Sequence, residues 1–257
     1  MPDLVSVAAT TSPCKVCGTA APLFGVCDFN RSCEEGRSGP LPLTGIPIYY
    51  HRCPQCGFLF TTAFDAFSHD DFSRWIYNDQ YAAVDPDYLA VRPGNNTMLV
   101  ADFIGPALNT RVLDYGSGNG LLARNLRQRG FTDVVEYDPF VPASSHRPQG
   151  RFECITAFEV LEHSVDPRRT VQDMASLLAD PGIILFSTSL QPERIVATGM
   201  NWWYIGPRNG HASVFSLRSL QLLSASAELG CGSFSNIMHV MLRHVPQFAA
   251  TRIRLAQ

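Results

Sequence analysis

The sequence predicts an α/β protein: a Rossmann-like, largely parallel sheet with a shortened third-strand region, preceded by a small cysteine-rich ribbon. Three observations carry this. From residue 88 onward, helical and strand patterns alternate, as a parallel sheet with helical crossovers requires. A glycine-rich turn in RVLDYGSGNG (residues 111–120) follows a short apolar run and opens a helix. Within the first 57 residues stand two matched pairs, Cys14-Lys-Val-Cys17-Gly18 and Cys53-Pro-Gln-Cys56-Gly57.

At 257 residues the chain has room for one α/β domain with an appendage. Hydrophobic residues at 46% and charged residues at 17% exclude a disordered chain and a coiled coil. Twenty basic against 23 acidic side chains give a net charge of −3, which offers no electrostatic reason for a nucleic-acid partner. No apolar run approaches the roughly 20 residues needed to cross a bilayer. The opening segment MPDLVSVAATTSPCKVC has neither a basic n-region nor an apolar h-region, so the expected location is the cytoplasm.

In a reducing compartment, paired cysteines point to metal more than to disulfides, although two disulfides are the alternative. Cys14, Cys17, Cys53 and Cys56 supply four soft ligands from two tight turns, which suits a closed, structural, tetrahedral Zn²⁺. Cys27 and Cys33 lack this spacing and read as free thiols. Between the knuckles, Gly36, Gly39, Pro40, Pro42, Gly45 and Pro47 mark a loop, and short strands flank the second knuckle. The expected divisions are a ribbon lobe over residues 1–65, a helical and aromatic connector over 66–94, a core over 95–245 and a tail over 246–257. In the connector, Phe72, Trp75, Ile76 and Tyr77 have helical spacing and read as packing between lobes, with Tyr77 and Tyr81 within reach of a neighbouring cleft.

The core opens with a helix from about Asn95 to Ile104, then a strand through Val112, Leu113 and Tyr115. The glycine turn, the helix LLARNLRQRG stopped by Gly130, and the strand DVVEYDP follow. Strand, glycine turn, helix and strand ending in an acid form a nucleotide-binding half. The glycines do not fit a dinucleotide fingerprint, because Leu121 occupies its third glycine position. Gly116, Gly118 and Gly120 instead follow Asp114, and Asp138 closes the next strand. Further on, Phe152–Phe158 reads as a buried strand with Glu159-Val-Leu-Glu162-His163 at its carboxyl end. A helix with Val171, Met174, Ala175 and Leu178 on one face, a Pro181-Gly182 turn and the strand IILFSTSL come next. SLRSLQLLSASAELG and FSNIMHVMLRH read as a last helix and strand.

Over residues 88–240 this pattern resembles the class I S-adenosylmethionine-dependent methyltransferases, with LDYGSGNG in place of their first motif. The resemblance implies a cofactor site of Asp114, Tyr115, Gly116, Ser117, Gly118, Asn119, Gly120, Asp138, Pro139, Phe158 and Glu159. In that site the turn approaches the methionine moiety and Asp138 accepts the ribose hydroxyls. The pattern departs from the family in one place: about twenty residues separate Asp138 from Glu159, and Pro139, Pro142, Pro148 and Gly150 reduce the usual helix and third strand to a loop. An adenine-contacting acid is therefore not identified.

For the chemistry, His163, His211 and Tyr204 are the candidate catalytic residues, with Trp202, Trp203 and Tyr204 as an aromatic wall. Glu159, Glu162, His163 and His211 together resemble the divalent-ion site of methyltransferases acting on quinone precursors or small RNAs. The leading expectation is methyl transfer to a small-molecule acceptor of secondary-metabolite, sugar or quinone-like type. The alternatives are a binding or scaffold protein with a degenerate core, and a metal-dependent RNA 2′-O-methyltransferase.

Overall fold

A computed structural model describes residues 11–254; the start of the chain that bears on a leader, and the last three residues of the tail, lie outside them. Two sheets organise the molecule. The first runs β1 (Thr11–Pro13), β2 (Ala20–Asp28), β3 (Pro47–Arg52), β4 (Leu59–Thr61) and ends on a strand from far along the chain, Ser213–Val214. The second contains β5 (Val112–Tyr115), β6 (Val134–Tyr137), β7 (Phe152–Phe158) and β8 (Leu178–Ser187); with Ser213–Val214 counted as β9, β10 (Gly230–Ser233) and β11 (Met238–Leu242) complete it in the order β10-β11-β8-β7-β5-β6. Helices of seven residues or more are α1 (His69–Trp75), α2 (Val91–Ile104), α3 (Leu121–Gln128), α4 (Pro167–Leu177) and α5 (Leu217–Ala225).

The four strands β6, β5, β7 and β8 are parallel, and β11 and β10 add antiparallel to them. Helices cover both faces, so the central strands are apolar without alternation: Val112, Leu113, Ile155, Ile184 and Leu185 are fully buried. The chain leaves β5 for the edge strand β6 and returns to β7 on the other side of β5. That reversal opens a crevice at the carboxyl ends of β5 and β7, where open α/β sheets bind ligands.

Residues 139–151 contain only a single helical turn, Pro142–Ser144, so the sheet ends at β6 and the third strand is absent. Each proline there removes an amide donor that an added strand would need. Helix α4 starts as its sequence demands: Pro167 takes the first position and the Asp166 side chain accepts a bond from the Arg169 amide. Its buried stripe is Val171, Met174 and Ala175. Leu178 already belongs to β8, and Pro181-Gly182 bulges from that strand, since the register passes from Phe152↔Leu178 directly to Cys154↔Ile183.

The ribbon lobe and the core share one interior. Phe58 stacks on Phe60 at 5.3 Å and meets Phe215, just after β9, at 5.1 Å. Cys14, Cys53 and Cys56 fall in one hydrophobic cluster with Leu113, Phe186 and Leu220. Polar contacts reinforce the join: Ser216, the N-cap of α5, donates to the Cys56 carbonyl at 2.6 Å, and the Gln191 amide donates to the Gly57 and Val214 carbonyls. No helix among the described residues is long and apolar enough to cross a membrane.

Candidate functional site

A cavity of about 1150 Å³ occupies the crevice at the switch point. One wall is the turn from Asp114 to Asn119, a second is Tyr137–Val141, a third is Phe158–Val160 with His163, and the fourth comes from the connector and α2. All the residues read as cofactor-binding line it except Gly120, which opens α3 in a left-handed conformation.

The turn is built for close backbone approach. Gly116 has φ 76°, and a Cβ there would stand 2.5 Å from a Val160 methyl. Gly118 has φ 51°, and its amide donates to Asp138 Oδ2 at 2.9 Å, while Asp138 Oδ1 accepts from the Phe140 amide at 2.9 Å. Asp138 is thus held rigidly at the strand end with lone pairs left over. Asp114 is buried beneath the turn; Oδ1 accepts from the Thr156 hydroxyl at 3.1 Å and Oδ2 has no partner. Burial pushes its carboxyl up to about 7, against the Thr156 bond, which favours the charged form.

Several lining residues were not singled out from sequence. Arg92, on the first turn of α2, makes a two-point ion pair with Asp85 at 2.7 and 2.8 Å and meets Glu159 at 2.5 Å. The helical pattern gave a start near Asn95, but α2 begins at Val91 because Pro93 is tolerated in a first turn, where no amide partner is lost. Glu159 has φ 56°, a left-handed conformation costly for a residue with a Cβ; its amide bonds Ser187 and its carboxylate faces Arg92. Tyr77 and Tyr81, read from sequence as within reach of a neighbouring cleft, line the cavity, as does Tyr88, and Tyr81 meets the other two edge-on. Phe140 bridges from the shortened loop to Phe72 and Tyr77, closing the cavity over α1.

The three residues read as catalytic are brought together, but only His163 lines the cavity. His211 and Tyr204 are buried behind it: the His211 ring stands 5.0 Å from His163 and 4.4 Å from Tyr204. The Tyr204 hydroxyl donates to Glu162 Oε1 at 2.5 Å, and His211 Nδ1 donates to the Tyr204 carbonyl at 2.8 Å. The turn 206–210 causes this, with the Ala212 amide bonding the Glu162 carbonyl at 2.8 Å and drawing the segment inward. Trp203, expected in an aromatic wall, is half exposed outside the cavity. Burial drives His163 well below the usual histidine range and His211 down to about 4, so both rings are neutral near pH 7. Burial first, and the Glu159 charge second, push Glu162 up to about 8.

Glu162, His163 and His211 each offer one ligand atom, all within 4.8 Å of one another, and Glu162 Oε2 and His163 Nδ1 have no hydrogen-bond partner. This donor set, two imidazoles and a carboxylate, fits a divalent ion. Glu159, expected as a fourth ligand, stands apart on Arg92.

In the ribbon lobe, Cys14, Cys17, Cys53 and Cys56 converge, with Sγ–Sγ separations of 3.5–3.6 Å. A tetrahedron of Zn–S bonds of about 2.3 Å has edges near 3.8 Å, so four unbridged thiols fit one zinc ion. Cys27 and Cys33 are free and outside the cluster; Cys33 Sγ lies 3.6 Å from His211 Nδ1.

A doubly wound sheet with this glycine turn, the acid closing the next strand and a cavity at the switch point define the class I S-adenosylmethionine-dependent methyltransferase fold. Comparison with known proteins agrees. A family model described as a methyltransferase domain matches residues 64–230. Ubiquinone biosynthesis O-methyltransferases of Escherichia coli O139:H28 and Shigella boydii serotype 18 are 27% identical over 112 residues, which is 35% of this chain and 47% of theirs. The chain spans about half the length of these curated relatives. An O-methyltransferase family protein from Burkholderia thailandensis has the same fold, with a TM-score of 0.52 at 12% identity, covering 71% of this chain and 64% of that one. The chain belongs to the methyltransferase-domain family.

Proposed function

We propose that the protein transfers a methyl group from S-adenosylmethionine to a hydroxyl of a small aromatic or quinone-like acceptor. The observation that carries this is the continuity of one cavity from the glycine turn and Asp138 to His163 and the connector tyrosines. When bound, S-adenosylmethionine supplies an activated methyl on a sulfonium, and alignment with the acceptor does most of the work. Asp138 would hold the ribose hydroxyls, the Gly116–Gly118 backbone would accommodate the methionine moiety, and Arg92 would meet its carboxylate. Asp114 beneath the turn, when ionised, would offset the positive charge of the cofactor, and that charge would in turn favour its ionised form.

At the acceptor end, Phe72, Tyr77 and Phe140 provide apolar faces for a flat ring. His163 is neutral and can take the hydroxyl proton, and Val165 and Ser164 complete that wall. Tyr50, from the ribbon lobe, donates to the His211 carbonyl at 2.6 Å and so steadies the layer behind His163. The four-cysteine cluster would hold a structural zinc that orders this lobe.

A second reading of the chemistry is favoured by the unpartnered Glu162 Oε2 and His163 Nδ1. A divalent ion held by Glu162, His163 and His211 would lower the pKa of an acceptor hydroxyl, in place of a free His163 base.

The test is conversion of S-adenosylmethionine to S-adenosylhomocysteine with a panel of catechols, phenols and hydroquinones, with and without added Mg²⁺ or Mn²⁺. Acceptor-dependent turnover is expected; stimulation by the added ion selects the second reading. A folded, zinc-loaded protein that binds cofactor yet methylates no small molecule would favour the scaffold alternative, and methylation of RNA alone the third.

A further inference from the structure

The loss of the third strand removes the place from which this fold brings an acid to the adenine. We propose that Asp173, on helix α4, supplies it instead, accepting the exocyclic amine of the base, with Arg147 clasping the shortened loop to it. This rests on the proposed cofactor.

Every carboxylate lining the cavity is hydrogen-bonded or paired. Asp114 is buried under the glycine turn, and Asp138 is fixed by two backbone amides. Asp85 and Glu159 share Arg92, Asp65 pairs with Lys15, and Asp166 caps α4. Asp173 differs. Its carboxylate is oriented from two sides, accepting from Tyr115 OH at 2.9 Å and from Arg147 Nε at 2.8 Å, and 26% of its side chain remains exposed. It lines the same cavity as Asp138, together with Tyr115, Tyr137 and Arg147. The two tyrosine rings, 5.2 Å apart and edge-to-face, give an apolar surface beside it.

Arg147 comes from the loop that replaces the strand. Its Nη2 also donates to Ser176 Oγ at 2.7 Å, so the guanidinium ties residues 139–151 to α4 at two points. Both jobs of the missing element, covering the base and reading its amine, are thereby met by α4 and the loop. A carboxylate oriented by two donors accepts from an amine but faces the keto oxygen of a deaminated base with repulsion.

Calorimetry with S-adenosylhomocysteine and with S-inosylhomocysteine, its deaminated counterpart, tests this on the zinc-replete full chain. Wild-type protein should prefer the adenine compound by tenfold or more, the scale of one charge-assisted hydrogen bond. Asp173→Asn, whose amide can turn to donate, should reduce that preference below about threefold. Arg147→Ala should weaken both compounds about equally, leaving the preference in place. Equal binding of the two by wild-type protein, or full discrimination by Asp173→Asn, would overturn the assignment while leaving the cofactor reading intact. Failure to bind either compound would overturn both. The wild-type comparison needs no variant to fold.

Discussion

Asp114 offers a sharp test, because the fold keeps a carboxylate where burial opposes its charge. Its carboxyl is held at about 7 against an ordinary value of 3.8, mainly by burial, with Oδ2 unpartnered. A raised folded-state pKa means that the unfolded chain releases the proton first as pH rises. Stability is therefore fully present below about pH 4 and is lost progressively up to about pH 7. Roughly three pKa units at about 1.4 kcal/mol each set a ceiling near 4 kcal/mol, and partial screening brings the expected loss to about 2–3 kcal/mol. Asp114→Asn removes the titration while its side-chain oxygen keeps the Thr156 bond. In urea unfolding the variant should gain about 2 kcal/mol on wild type at pH 8 and almost nothing at pH 4, with weaker S-adenosylmethionine binding. A stability difference of the same size and sign at both pH values would refute the reasoning.

Phe58→Ala should cost about 3–5 kcal/mol and move a single unfolding transition seen equally by probes in both lobes, since Phe58 joins the ribbon to Phe215; two separate transitions in thermal unfolding would contradict the shared interior. Zinc chelation, or Cys56→Ser, should lower the midpoint of that same transition rather than melt the ribbon alone, because the cysteines share a cluster with Leu113 and Phe186; calorimetric scans decide it. His163→Gln should cut turnover by roughly 10²–10⁴ with S-adenosylhomocysteine affinity nearly unchanged. With His163 held far below the usual histidine range, the wild-type rate at saturating S-adenosylmethionine should show no fall centred near pH 6.5; a rate that halves there would argue against this base.

What the sequence made legible follows from how local each constraint is. Gly116, Gly118 and Asp138 could be read because a turn approaching a ligand and an acid at a strand end leave a mark within twenty-odd residues. The paired cysteines left a similar one. The missing strand was also visible, since prolines at 139, 142 and 148 exclude a ladder. Tyr77 and Tyr81 could be placed near a cleft from their helical spacing, but Arg92 and Asp85 left no such mark: their places depend on how α2 packs against α3, and Pro93 hid the first turn of that helix. His211 and Tyr204 were recognised as residues capable of chemistry, but their burial behind His163 is set by the turn at 206–210 and the bond between Ala212 and Glu162. Glu159 was read as both cofactor contact and metal ligand; its left-handed backbone and the Arg92 pair, which set it apart from Glu162, His163 and His211, are tertiary facts.

The central claim is that the glycine turn and Asp138 hold S-adenosylmethionine. Calorimetric titration of the zinc-replete protein with S-adenosylmethionine and S-adenosylhomocysteine, beside Asp138→Ala, tests it most directly. Binding at about micromolar Kd, weakened a hundredfold or more by the substitution, is the predicted result. Absence of binding by the folded protein at about millimolar cofactor, or equal binding by Asp138→Ala, would contradict it.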